Sequence, residues 1–132
     1  MTAGYSGTPQ ARKLGIKPGL LVALEHAPPG WALDDPPPYE DVTGGGPADV
    51  IVSFVRHAAD ISPQVDAAKD RIFPAGSLWI AWPRKAGGHT SDVTDNLIRE
   101  AVLPLGLVDV KVAAIDADWS GLKVVWRKEN RR

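Results

Sequence analysis

The sequence predicts an α/β domain: a three-layer sandwich with a mainly parallel sheet and a C-terminal antiparallel hairpin strand. Three observations predict it. Apolar runs of strand length alternate with segments of helical periodicity, the pattern of strand–helix–strand crossovers. The apolar runs are continuous, so both faces of each strand are expected to be covered. The last two runs, residues 107–115 and 121–127, are separated by the short turn-like stretch "DADWS", which suits a hairpin.

The chain has 132 residues, the size of one domain. Residues 1–12 are expected to form a flexible N-terminal loop and residues 128–132 a frayed tail. "LGIKPG" (residues 14–19) reads as an apolar turn, and "LLVALE" (residues 20–25) as the first buried strand. The next stretch, "HAPPGWALDDPPPYEDVTGGGP", holds six of the chain's twelve prolines and four of its glycines, so it cannot carry a long helix. Residues 31–33 could make one helical turn and residues 39–42 a short edge strand; the alternative is an irregular connection throughout. "ADVIVSFV" (residues 48–55) is the next strand. Ile61, Val65, Ala68 and Ile72 recur at helical spacing, with Ser62 as N-cap ahead of Pro63. "SLWIAWP" (residues 77–83) is a strand. Val93, Leu97, Ile98, Ala101 and Val102 mark the last helix, with Asp92 as its N-cap and Asp95 in its first turn. Pro104 and Gly106 end it.

Composition removes several functions. The net charge is −1, so no global field recruits nucleic acid or acidic membranes. There is no cysteine, hence neither a disulfide nor a thiolate zinc site. No apolar run approaches the roughly 20 residues that span a bilayer. "MTAGYSGTPQARKLG" lacks the apolar core of a secretory signal, and the expectation is a cytoplasmic domain.

"LGIKPGLLVALE", "ADVIVSFV" and "RIFPAGSLWIAWP", followed by the final hairpin, resemble a class I methyltransferase with its middle removed. The implied scaffold is Rossmann-like with a shortened methyltransferase-like topology. More specifically, "GYSGTP", "KLGIKPG", "GGPADVI", "PAGSLWIAWP", "LVDVKVAAID" and "WSGLKVVWR" resemble DUF3052, a family of uncharacterised bacterial proteins. That resemblance implies no activity. Two departures stand out: the segment ahead of "GGPADVI" is short and proline-rich, and Arg84 and Gly87 stand in a loop that resembles Lys-Lys-Ala-Ser-Gly elsewhere.

The residues themselves argue against an adenosylmethionine cofactor. Such a site needs a glycine-rich turn after the first strand, where backbone donors approach the ligand. Here that turn is "EHAPPGW", with Gly30 and two donor-less prolines, Pro28 and Pro29. Glu40 or Asp41 could stand where an acid holds ribose hydroxyls. Gly44, Gly45 and Gly46 precede a strand, unlike a dinucleotide fingerprint. Ser6 lacks the strand before it and the helix after it that a nucleophile elbow requires. No cofactor and no metal are expected, since no histidine has a second at ligand spacing.

The candidate ligand site is the carboxyl edge of the sheet. "WIAWPRKAGGHTSD" leaves a strand there through Arg84, Lys85, Gly87, Gly88, His89 and Ser91, where cationic side chains and backbone N–H groups of the loop and helix start could hold an anion. His26 and His57 follow neighbouring strands. Trp79 and Trp82, three apart, should face opposite sides; Trp82 and Trp119 lie at element ends. Lys111, Lys123, Arg127, Lys128, Arg131 and Arg132 form a basic set without a nucleic-acid motif. The leading expectation is a non-catalytic protein that binds a small molecule or a partner protein. The alternatives are an enzyme at the same edge, either a residual transferase or a hydrolase with a histidine base, and a structural subunit dimerising through the hairpin edge.

Overall fold

The computed structural model describes residues 8–131. The chain forms α1 (Gln10–Leu14), β1 (Leu21–Glu25), β2 (Glu40–Asp41), β3 (Val50–Phe54), α2 (Ile61–Lys69), β4 (Ser77–Pro83), α3 (Asp95–Val102), β5 (Leu107–Ala114) and β6 (Trp119–Trp126). One sheet runs in the order β2–β1–β3–β4–β6–β5. The pairs from β2 to β4 are parallel, and β6 lies antiparallel to both β4 and β5.

Each sheet face carries its own core. On one, α2 and α3 lay Ile61, Val65, Ala68, Ile98 and Val102 onto Ile51, Leu78, Ile80, Leu122 and Val124. Each fully buried aliphatic side chain contributes about 1.5–3 kcal/mol. On the other, Ala11 and Leu14 of α1, with Ile16 and Leu33, cover Val22, Val52, Phe54, Trp79 and Ala81. The third layer is therefore one short helix and the proline-rich segment. Trp79 faces that layer and donates from Nε1 to the Leu14 carbonyl at 3.2 Å, while Trp82 packs on the α2–α3 side. The spacing of three did place them on opposite faces.

Several expectations change. Residues 10–12 belong to α1 and not to a loop: Gln10 is buried, donates to the Ile115 carbonyl at 2.9 Å and accepts from Asp34 N at 2.7 Å. Residues 31–33 form no helical turn. Trp31 is instead a strut, its Nε1 on Asp116 Oδ2 at 2.9 Å and its ring edge-on to Phe54 at 4.9 Å. The edge strand expected at residues 39–42 is present as β2. Helix α2 starts at Ile61, after a 3-10 turn at Ala58–Asp60, so Ser62 is not its cap; Pro63 sits where a missing N–H costs nothing. The cap of α3 is Thr94, whose hydroxyl accepts from Leu97 N at 3.2 Å, and Asp92 instead accepts from Ala58 N at 2.9 Å. The tail is pinned through residue 130, where Asn130 donates to the Gly106 carbonyl at 3.0 Å.

The hairpin edge has a bulge between Asp109 and Lys111, with Val110 and Val112 exposed on β5. A bulge and a lysine are devices by which edge strands resist further pairing. Among the described residues, no helix is long and apolar enough to cross a membrane.

Candidate functional site

Strands β1, β3 and β4 end on one edge of the sheet, and the β5–β6 turn reaches the same edge. The strand order reverses between β1 and β3, the crevice where open α/β sheets bind ligands. Here the chain fills much of it. Glu25, the last residue of β1, accepts Arg71 Nη1 at 2.8 Å and Gly44 N at 2.8 Å. The same guanidinium donates to the carbonyls of Gly46 at 2.8 Å and Val42 at 2.9 Å. Burial pushes the Glu25 carboxyl up, but the Gly44 N–H and Arg71 outweigh it and hold the group below the usual carboxylate range. His26 then adopts φ of 59°, and its carbonyl faces Arg56 Nη1 at 3.5 Å.

The open space lies one strand further along. A cleft of about 640 Å³ is bounded by Arg56 and His57 after β3, Gly88 and His89 after β4, and Asp118 and Trp119 at the hairpin turn. The Arg56 guanidinium lies 5.4 Å from the Trp119 ring centre, a cation–π contact. Trp119 is braced edge-on by Phe54 at 4.9 Å. His89 Nε2 and Asp118 Oδ1 are 2.9 Å apart, which ties the β4–α3 loop to the turn.

Arg84, Lys85 and Ser91 border a smaller cleft of about 330 Å³ behind the same loop, with Thr94 and Ser120. The loop does not present a cradle of backbone donors. Gly87 N bonds to Arg84 O at 3.1 Å, Gly88 N to Lys85 O at 2.9 Å and His89 N to Arg84 O at 3.3 Å. Ser91 Oγ donates to Arg56 O at 3.0 Å and accepts from Val93 N at 3.1 Å. What the loop offers outward is side-chain charge. Gly87 is fixed by close approach: a Cβ there would overlap the Ala117 carbonyl oxygen.

The structure thus brings His57, Gly88 and His89 to one cleft and Arg84, Lys85 and Ser91 to its neighbour. His26 stands apart, beside Glu25 and Gly44 at a pocket of about 160 Å³. Arg56 and Asp118 were missed in the sequence; Arg56 had a signal, as the residue between strand end and His57. Among the described residues no three His, Asp or Glu side chains gather as metal ligands. Ser6 lies outside the described residues.

The architecture is a Rossmann-like α/β fold, with a mostly parallel sheet and antiparallel C-terminal strands, similar to that of methyltransferases. Three solved structures share it. A fibrillarin pre-rRNA processing protein of Methanococcus jannaschii matches with TM-score 0.53 and 15% identity, over 93% of this chain and 70% of that one. Magnesium protoporphyrin IX methyltransferase of Synechocystis PCC 6803 with bound SAH matches with TM-score 0.55 and 14% identity, over 89% and 78%. The same enzyme with bound SAM gives TM-score 0.50 and 13% identity, over 83% and 71%. No family model and no curated protein matches the sequence.

Proposed function

We propose that this chain is a ligand-binding protein on a degenerate methyltransferase-like scaffold, holding a small anionic molecule at the carboxyl edge without turnover. The carrying observation is that Arg56, His57 and His89 converge on one open cleft. Arg56 would supply a planar, permanently charged fork for a carboxylate or phosphate, and Trp119 and Pro28 the apolar wall. The neighbouring methyltransferase binds SAM and SAH; here the contacts of Glu25 with Arg71 and Gly44 fill much of the crevice beside β1, which argues against the same cofactor. The sequence motifs resemble those of DUF3052, and on that resemblance we read the chain as a bacterial cytoplasmic protein.

The His89–Asp118 pair favours a second reading, an enzyme with His89 as base and Asp118 orienting it.

Calorimetric titration with adenosylmethionine, adenosine monophosphate, benzoate and inorganic phosphate tests the proposal. At least one anion should bind, and Arg56→Ala should weaken it about tenfold or more. Tight adenosylmethionine binding, or an anion affinity unchanged by Arg56→Ala, would overturn it. Chemical conversion of a bound anion, lost in His89→Ala, would establish the second reading.

A further inference from the structure

The face of the sheet under α1 continues beyond Trp79 as a row of lysines. Trp79 lies opposite Lys123, and Lys123 opposite Lys111, so the three side chains stand in line across β4, β6 and β5. Lys111 Nζ reaches back to 5.7 Å from the Trp79 ring centre. Lys13 approaches from α1 and donates to the Ala114 carbonyl at 2.9 Å. Beside the lysine pair, Val108 and Val125 face each other half-buried.

Like charges directly opposite on neighbouring strands repel and destabilise the pair. Burial and then Lys111 hold Lys123 below the ordinary lysine range; burial, then Lys111 and Arg84, do the same to Lys13. Among the described residues, no carboxylate is within ion-pair distance of Lys111 or Lys123. The row therefore costs the isolated fold stability, and an external anion would relieve it. Two features favour a polypeptide anion. Trp79 is wholly buried and gives bases no ring to stack on. The adjacent valines suit an occupant that also carries apolar side chains.

We propose that the Lys111–Lys123 row is a docking face for an acidic segment of a partner protein. Fluorescence anisotropy with labelled oligoglutamate at low salt tests it. The wild-type chain should bind, and more weakly as salt is raised. Lys111→Glu and Lys123→Glu should each weaken binding about tenfold or more, whereas Lys69→Gln on the α2 side should not. Lys111→Gln should weaken binding while raising the melting temperature, an outcome that guards against misfolding of the charge reversals. No binding by the wild type, an affinity unchanged in Lys111→Gln, or tighter binding of oligouridine than of oligoglutamate would each overturn the proposal.

Discussion

The Arg71 guanidinium grips the Glu25 carboxylate at 2.8 Å while donating to the Val42 and Gly46 carbonyls. One side chain following α2 thus gathers the ends of β1 and β2 and the triple-glycine loop. Both partners are half-buried, with side-chain exposures of 16% and 19%. Removing one partner strands the other in a low-dielectric setting. Arg71→Ala should therefore lower the unfolding free energy by about 3 kcal/mol in urea titrations. Glu25→Gln, which keeps an acceptor for Gly44 N, should cost less. Equal losses in the two variants would contradict this division of roles.

The cap assignment at α3 separates two neighbouring residues. Thr94→Ala should cost about 1 kcal/mol by removing the acceptor of Leu97 N. Asp92→Ala should leave α3 intact and instead release the Ala58 amide, visible as faster hydrogen exchange there. The reverse pattern would return the cap to Asp92.

Gly87→Ala probes the loop. The added methyl would meet the Ala117 carbonyl oxygen, so loop and hairpin turn must part. The expected loss is about 1–3 kcal/mol, accompanied by weaker anion binding in the cleft. Retained binding with unchanged stability would show that the loop moves freely.

Acid should loosen the α3–β5 contact. The hydrogen bond from Arg99 Nε to Asp109 Oδ2, 2.8 Å long, holds the Asp109 carboxyl below its ordinary value. A depressed carboxyl stabilises the fold above the unfolded pKa of about 4 and loses that contribution as pH falls through the lower folded value. Asp109→Asn should thus be less stable than wild type at neutral pH. The two should converge in denaturant titrations as pH drops from about 5 to 2. Parallel curves would remove Asp109 from the acid transition.

The strands and their directions were legible because each is an apolar run of fixed length between turn residues. The short DADWS turn allowed the antiparallel ending to be read. Other features were hidden because their causes are distant in sequence. Gln10 looks like part of a loop until its partners, Ile115 and Asp34, are brought to it by the fold. Trp31 is likewise placed by Asp116 and Phe54, and not by any helical tendency of its own segment. The site was half readable. Position after a strand was enough to bring His57 and His89 together. It failed for His26, because Glu25 and the left-handed turn direct that strand end elsewhere. Whether a loop offers its N–H groups outward depends on φ and ψ, which the residue types of "RKAGGHTSD" do not specify.

Strand β6 comes last in the sheet's chain order yet lies inside it, bonded to β4 on one side and to β5 on the other. During synthesis the parallel strands can meet early, but β5 has no strand partner until residues 119–126 leave the ribosome. A nascent chain stalled before that point would carry two unsatisfied strand edges, those of β4 and β5. The closing hairpin is thus also the step that seals the molecule against sticking to its own unfinished copies.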